Sequence, residues 1–192
     1  TISAGNFTNI WNFGDNTTST LVAPSKTYSV NGILTVQLTT RSNFGCKDSL
    51  KKNVYIRPNP VTSFTINDST QCNNFPFIFT NKSSIPTGSY TSLWRFGDNT
   101  TSTLRNTSHV YAAFGTYTVK LIVTSNNGCI DSITKVVNVF PSPTVNFNIN
   151  NNSQCLKWNN LILNNTSSIA SGSMTYLWKF GDNTTSTSIS PS

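Results

Sequence analysis

The side chains of this chain that could do chemistry are few, and most of them are repeated. All six acidic residues are Asp, and five of them occupy two recurring positions: Asp15, Asp98 and Asp182 after Phe-Gly, and Asp48 and Asp131 after Gly-Cys-x. A two-carboxylate enzyme needs two acids with different environments around one substrate. Since only Asp68 falls outside the repeated positions, the sequence offers no such pair, and we expect a protein that is not an enzyme.

The Phe-Gly-Asp sites favour a structural role for their carboxylates. An Asp after Gly can accept backbone N–H bonds and close a turn, so we assign Asp15, Asp98 and Asp182 to turns. The alternative is weak Ca²⁺ ligation. Ca²⁺ prefers several oxygen ligands and each turn supplies one carboxylate, so we predict no metal or other cofactor.

His109 is the single histidine of the chain, and Lys26 takes its place one repeat earlier. A zinc site needs further His or Cys ligands, and a catalytic triad needs an acid and a nucleophile beside the imidazole. The repeated Ser and Thr residues have no base to activate them. We therefore expect His109 to be a structural residue beside Tyr111.

These residues lie within a long internal repeat. The ten residues from Trp11 return from Trp94 and from Trp178 with only the second residue changed, at distances of 83 and 84 residues. Units of about 80 residues can form a core of their own, whereas solenoid repeats of about 20–50 residues share one. We predict a partial repeat over 1–57 (strands C to G), a complete repeat over 58–141 and a partial repeat over 142–192 (strands A to D), cut from a longer array.

The composition excludes several classes of protein. Charged residues are 10% of the chain, and its net charge of +7 is the excess of 13 scattered basic residues over six Asp. Nucleic-acid binding favours a clustered basic face with stacking aromatics, so we predict no nucleic-acid partner. The sequence has no apolar run of 18 residues, and we expect no membrane span in this segment. A weak attraction to anionic glycans or surfaces fits the charge better.

Short alternating runs predict strands rather than helices. In the complete repeat, Val, Ile, Phe, Tyr and Thr recur between Asn, Gly and Pro, and Tyr117 to Val123 alternate with polar residues. Six or seven such strands with a Trp on the third predict an all-β fold of tandem immunoglobulin-like antiparallel sandwiches, about seven strands each, lettered A to G. The predicted core aromatics are Trp11, Phe13, Phe79, Trp94, Phe96, Tyr111, Tyr117, Trp178 and Phe180.

The four cysteines form two classes. Cys46 and Cys129 fall in predicted F–G loops, and Cys72 and Cys155 in predicted A–B loops. These loops lie at opposite ends of such a sandwich, whereas a disulfide needs Cα atoms within about 7 Å. We therefore favour bonds to cysteines of neighbouring repeats outside this chain. A bond between Cys72 and Cys129 stays open if the A–B loop folds back.

The repeated motifs resemble those of a known family. Trp-x-Phe-Gly-Asp, followed by His109-Val-Tyr111 and Gly115-Thr-Tyr-Thr-Val119, resembles the PKD (polycystic kidney disease) domain. The Asn-rich form with Gly-Cys-x-Asp-Ser resembles PKD arrays in surface proteins of Bacteroidetes-type bacteria. Asn99 replaces the family's usual Gly, Lys26 its His, and Leu34 stands where the complete repeat has Tyr117. The resemblance implies an extracellular or secreted β-sandwich used as a spacer or adhesive module, as in gliding-motility adhesins.

The resemblance also suggests a modification. Asp-Ser-aliphatic and Asp-Ser-Thr sequences occur at Ser49, Ser69 and Ser132. They resemble the O-glycosylation motif of Bacteroidetes surface proteins. The alternative is that these residues only open strands at a turn.

Three functions remain as alternatives. The first is a non-catalytic stalk of a bacterial surface protein or filament, whose partners are neighbouring repeats, other copies in a filament, and glycans or surfaces. The second is a carbohydrate-binding accessory region of a secreted hydrolase, with Trp158 and Tyr90 as candidate binding aromatics. The third is a fibre subunit that assembles by strand exchange, which is disfavoured because both partial repeats carry strand C.

Overall fold

The structure is a computed structural model that describes residues 7–191. All regular elements in this range are strands, which confirms the predicted all-β fold class. The strands are β1 (Phe7–Asn12), β2 (Thr18–Ser19), β3 (Gly32–Ser42), β4 (Lys47–Ile56), β5 (Phe64–Ile66), β6 (Thr70–Cys72), β7 (Pro76–Asn81), β8 (Tyr90–Arg95), β9 (Thr101–Ser102), β10 (Thr107–Val110), β11 (Gly115–Ser125), β12 (Ile130–Phe140), β13 (Phe147–Ile149), β14 (Leu163–Asn165), β15 (Trp178–Lys179) and β16 (Thr185–Ser186).

The first repeat contributes one antiparallel sheet in the order β2-β1-β3-β4. Trp11 lies opposite Leu38, and Leu38 lies opposite Leu50, so these three side chains share one face of the sheet. Phe13 is buried, while Trp11 is only half-buried. Residues 7–57 contain no counterpart of β5 and β7, the strands that cover the corresponding Trp in the complete repeat.

The complete repeat forms two sheets. One has the order β10-β7-β5, and the other has the order β6-β12-β11-β8-β9. In the lettering of the sequence analysis, β5, β7, β8, β11 and β12 are strands A, B, C, F and G. The segment predicted as a polar A–B loop contains β6, which pairs in parallel with the end of β12, with Cys72 opposite Phe140.

Aromatic side chains fill the space between these sheets. Trp94 is fully buried, and its ring centre lies 5.1 Å from that of Phe64 and 5.6 Å from that of Phe79. Phe96, two residues after Trp94 and on the same side of the chain, also packs on Phe79. Edge-on and tilted contacts of this kind stabilise a core beyond the area that they bury. The other buried core residues are Phe77, Tyr111, Val119, Leu121, Val123, Val137 and Val139.

The third repeat has only two short strand pairs, β13 with β14 and β15 with β16. Trp178 is half-buried against Phe147, and Phe180, which we predicted in the core, is 37% exposed. In the complete repeat the His109 ring of β10 stacks on Phe96, and residues 142–191 include no equivalent of β10. Tyr117, also predicted in the core, is half-buried because its hydroxyl donates to the exposed carbonyl of Ala113.

Contacts between Cα atoms divide the chain into two compact units. Three segments of the complete repeat group with the first repeat: residues 58–63, Ser83–Ser92 and Ile122–Ser132. The rest of the complete repeat groups with the third. The repeat boundaries at 57/58 and 141/142 stay a prediction.

Candidate functional site

The Phe-Gly-Asp segment forms the same closed turn in all three repeats. In the complete repeat, the Asp98 carboxylate accepts the backbone N–H of Thr100 at 3.0 Å and the Thr100 hydroxyl at 2.6 Å. The N–H of Phe96 donates to the carbonyl of Thr100 at 3.2 Å. Asp15 and Asp182 make the corresponding bonds to Thr17 and Thr184. The three carboxylates therefore close turns.

Two residues of the turn have left-handed backbone geometry. Gly97 has φ of 88° and Asn99 has φ of 70°. A Cβ at Gly97 would lie 2.9 Å from the carbonyl oxygen of Thr118, so glycine is needed here for space as well as for conformation. Asn99, in place of the family's usual Gly, takes a geometry that Asn tolerates better than most residues.

A basic side chain lies on the second carboxylate oxygen in the first two repeats. His109 Nε2 is 2.7 Å from Asp98 Oδ2, and its ring stacks on Phe96 with centres 4.2 Å apart. Lys26 Nζ is 2.6 Å from Asp15 Oδ2 and 5.5 Å from the ring centre of Phe13. His109 and Lys26 are thus equivalent. The His109 ring is edge-on to Tyr111, and its Nε2 lies 3.4 Å from the Thr100 hydroxyl, which itself donates to Asp98.

The hydrogen bonds shift the acidity of these carboxyls. Burial raises the pKa of Asp98, but the bonds from Thr100 and His109 outweigh it, and the pKa lies below its ordinary value of 3.8. The hydrogen bonds from Lys26 and Thr17 lower the pKa of Asp15 to about 2. The bond from the Thr184 hydroxyl lowers the pKa of Asp182. Each turn therefore favours the ionised carboxylate.

We expect Asp98→Asn to weaken the pH dependence of the complete repeat in acid. Because the pKa of Asp98 is lower in the folded state than its ordinary 3.8, ionisation stabilises the fold. This stabilisation is present above about pH 4 and is lost as the pH falls through the folded pKa. Urea unfolding from about pH 6 down to about pH 2 should show a smaller loss of unfolding free energy in the variant than in the wild type.

Asp68→Asn is the matched control for this prediction. Asp68 accepts the backbone N–H and the hydroxyl of Thr70, just as Asp98 accepts those of Thr100. Unlike Asp98, it has no hydrogen bond to an imidazole. The prediction is contradicted if Asp98→Asn and the wild type lose stability equally as the pH falls.

Further side-chain bonds fix the turn to the sandwich. The Tyr111 hydroxyl donates to the carbonyl of Phe96 at 2.7 Å, and the indole N–H of Trp94 donates to the carbonyl of Leu104 at 2.9 Å. Burial raises the pKa of Tyr111, so its hydroxyl stays a donor. The same indole bond recurs at Trp11 and Trp178, even though these side chains are only half-buried. The motif therefore fixes its local geometry even in the two repeats whose core is incomplete in this chain.

No three His, Cys, Asp or Glu side chains of residues 7–191 lie close enough to hold a metal ion. Both carboxylate oxygens of Asp98 already accept hydrogen bonds, so the turn does not offer Ca²⁺ the set of free oxygens that it prefers. Among the same residues, no helix is long and apolar enough to cross a membrane.

The four cysteines are free thiols in the structure. Cys72 pairs with the last residue of β12, whereas Cys129 directly precedes the first residue of that eleven-residue strand. A strand of this length spans about 33 Å, far beyond the reach of a disulfide. The geometry therefore contradicts the alternative of a Cys72–Cys129 bond.

The candidate residues for glycosylation and for glycan binding differ in how exposed their side chains are. Ser49, Ser69 and Ser132 are exposed. Trp158 is 88% exposed in a turn where its φ is 70°. Tyr90 is half-buried, and its hydroxyl donates to the carbonyl of Ser83.

Two polar contacts at the linkers were missed by the sequence analysis. The Asp131 carboxylate accepts the N–H of Thr62, just after the linker that leads into the complete repeat, at 2.8 Å. The Asn73 side chain accepts the N–H of Ser142, in the linker that leads out, at 2.7 Å, and donates to the carbonyl of Ala112. The bond from the Thr62 backbone lowers the pKa of Asp131. We call these two contacts the linker clamps. The repeated Gly-Cys-x-Asp was the only sequence signal for either.

The sequence model of the family described as "PKD domain" matches this chain twice, over residues 3–58 and 57–140. The chain is also 58% identical to collagenase ColA of Bacillus cereus over 36 residues. These 36 residues are 19% of this chain and 4% of the collagenase. The chain therefore spans a small fraction of the length of that relative.

Solved structures of single PKD domains are also similar. The PKD1 domain of Vibrio anguillarum Epp is 27% identical, with 42% of this chain and 93% of that chain covered and a TM-score of 0.38. The PKD1 domain of the Vibrio cholerae metalloprotease PrtV is 27% identical, with 44% and 98% covered and a TM-score of 0.36.

Fold and turn define this chain as a tandem array of immunoglobulin-like β-sandwich repeats. Because the family match covers more than half of its 192 residues, the chain belongs to the PKD domain family.

Proposed function

We propose that the chain is a non-catalytic spacer segment of an extracellular or secreted protein. The observation that carries this proposal is the pair of linker clamps. A free Pro-containing linker restricts its own backbone but does not fix its direction relative to the repeat that follows or precedes it. Here a carboxylate of the complete repeat binds the N–H of Thr62, just after the first linker, and an amide binds the N–H of Ser142, within the second.

The second clamp is the more extensive. Besides accepting the N–H of Ser142, Asn73 accepts the Ser142 hydroxyl through its backbone carbonyl at 3.3 Å, and the Asn73 N–H donates to the carbonyl of Phe140. The linker therefore leaves the repeat along a path held by three hydrogen bonds around one side chain and its backbone. Such a joint suits a stalk, which must transmit position along the chain.

We expect Asn73→Ala to loosen this joint without unfolding the complete repeat. The Ser142 N–H loses its acceptor, and its hydrogen exchange should accelerate roughly tenfold or more, since a linker amide without a partner opens locally. Heteronuclear NMR on the full chain measures this rate, with the exposed Asn152→Ala as control. Unchanged exchange at Ser142 in Asn73→Ala would show that the clamp does not hold the linker, and would remove the main support for a stalk.

The kind of protein to which this segment belongs is proposed from the resemblance of its motifs to bacterial PKD arrays. We propose a stalk of a bacterial surface protein or filament, of the kind found in gliding-motility adhesins, with neighbouring repeats as its main partners. The Asn-rich motif and Gly-Cys-x-Asp-Ser support this assignment. Surface labelling of intact cells with an antibody against the chain tests it, and an intracellular location would contradict it.

The cysteines add a proposed covalent element to the stalk. Cys72 lines an open groove of about 600 Å³ together with Pro141, Val145 and Met174 of the linker and third repeat. Met174 lies just before the C strand, at the end where an F–G loop cysteine of that repeat would lie. We propose disulfides between repeats, which peptide mapping of the non-reduced parent protein would detect; free thiols in secreted protein would contradict them.

O-glycosylation and carbohydrate binding are two further proposals, each supported by one observation. Ser49, Ser69 and Ser132 are exposed and would accept an O-linked glycan; unmodified peptides from the native protein would exclude this. A carbohydrate-binding role as part of a secreted hydrolase is favoured only by the exposed indole of Trp158. Loss of neutral-polysaccharide binding in Trp158→Ala would support that role, and no binding by the wild type would end it.

A further inference from the structure

The first repeat presents a basic sheet face that the spacer role does not use. In the β3–β4 ladder, Arg41 lies opposite Lys47 and Gln37 lies opposite Lys51. Side chains alternate between the two faces of a sheet, so these residues lie on the face opposite Trp11, Leu38 and Leu50. We define the basic face by Arg41, Lys47 and Lys51.

The basic face carries positive charge without compensation. All three cations are exposed, and none forms an ion pair within residues 7–191. The two acids of the first repeat lie elsewhere: Asp15 binds Lys26, and Asp48 lies opposite Thr40 on the other side of the sheet. A field of one sign over a sheet surface attracts polyanions.

The fold does not require these cations. The positions 83 residues later, on β11 and β12 of the complete repeat, hold Thr124, Ile130 and Thr134. By contrast Lys52, on the Trp11 side, corresponds to Lys135, which donates to the carbonyl of Phe64 at 2.7 Å and so has a structural role. The basic residues of the outer face therefore distinguish the first repeat from a neighbour with the same framework.

We infer that the basic face binds an acidic polysaccharide. Lys47 and Lys51 are four residues apart on one strand, about 14 Å, and Arg41 lies across the ladder from Lys47. Ammonium and guanidinium groups bind carboxylates and sulfates, and Thr39, Ser49 and Gln37 between them offer hydroxyl and amide groups to sugar hydroxyls. This inference goes beyond the spacer role and does not depend on it.

An acidic polysaccharide fits this face better than a nucleic acid does. Single-strand binding relies on aromatic rings on which successive bases stack. Tyr55 is the single aromatic residue on this side of β4, and the Arg57 guanidinium lies 5.9 Å from its ring centre. Phe44, which is 83% exposed, lies in the loop between β3 and β4, outside the ladder. The ladder that carries the basic face therefore lacks a row of free stacking surfaces.

The test compares two variants of the full chain with the same net charge. The first carries Arg41→Thr, Lys47→Thr and Lys51→Thr; Thr is the residue of the complete repeat at the positions of Arg41 and Lys51. The second carries Lys82→Thr, Arg95→Thr and Lys179→Thr, which removes one exposed Arg and two exposed Lys elsewhere. Circular dichroism verifies that both remain folded. Binding is measured on a biosensor to immobilised polygalacturonate and heparin, with dextran as the neutral reference and a thymidine oligonucleotide as the alternative polyanion.

We expect the wild type to bind the acidic polysaccharides and not dextran, with the first variant weaker by roughly tenfold, as three exposed ion pairs would give. The second variant should stay close to the wild type. Equal losses in both variants would assign the binding to net charge and overturn the inference. Absence of polysaccharide binding, or tighter binding of the oligonucleotide through the same three residues, would overturn it as well.

Discussion

Replacing Trp94 by Ala is expected to destabilise the complete repeat by about 3–5 kcal/mol, the range for removing a large aromatic side chain from a packed core. Trp94 is fully buried between Phe64 and Phe79, and its indole N–H donates to the carbonyl of Leu104. The substitution leaves a cavity and an unpaired carbonyl. A unit of about 84 residues has a total unfolding free energy of roughly 4–13 kcal/mol, so the variant should be largely unfolded at moderate urea concentrations.

Phe75→Ala is the control for this substitution. Phe75 is an aromatic residue of the same repeat that is 57% exposed, so its removal should change the unfolding free energy by less than about 1 kcal/mol. Urea unfolding followed by far-UV circular dichroism measures both variants. A loss at Trp94→Ala no larger than that at Phe75→Ala would mean that the aromatic cluster is not the core of the repeat.

Replacing Gly97 by Ala is expected to cost about 2–4 kcal/mol through two effects that act together. The backbone φ of 88° disfavours any residue with a Cβ, and the added Cβ would lie 2.9 Å from the carbonyl oxygen and 3.0 Å from the nitrogen of Thr118. Because Thr118 belongs to the central strand β11, the backbone there cannot move without disturbing its ladder. The Phe-Gly-Asp turn should therefore shift away from β11.

Gly128→Ala separates the two effects. Gly128 has φ of 82° in the loop between β11 and β12, but a Cβ there meets nothing within 4 Å. Its substitution should cost only the conformational penalty, about 1–2 kcal/mol. Thermal unfolding of both variants gives the comparison. Equal destabilisation at Gly97 and Gly128 would show that the close approach to Thr118 contributes nothing.

The sequence was informative where local chemistry decides the structure. The alternation from Tyr117 to Val123 predicted a half-buried strand, and β11 covers it. The Phe-Gly-Asp pattern predicted a turn closed by a carboxylate, because Asp after Gly makes the same local hydrogen bonds in almost any surrounding. The shared position of Lys26 and His109 became understandable only with the structure, since both bind an Asp eleven residues earlier.

The rest depended on contacts between distant segments. The linker clamps join residues 69 positions apart, Thr62 with Asp131 and Asn73 with Ser142. No local pattern encodes such pairs, and Asn73 does not recur, since the Cys of the third repeat is followed by Leu156. Repetition of a motif also misled the prediction of burial at Phe180, because burial depends on the strands that cover a ring and not on the motif that holds it.

If the complete repeat is a mechanical unit of a spacer, it unfolds as one body under force. Single-molecule force extension of the full chain, held at its two ends, tests it most directly. A unit over residues 57–140 should resist force and then unfold in one step, with a contour-length gain close to the roughly 300 Å of extended chain that it contains. Smooth extension without such a step, or several short steps at low force, would contradict the account.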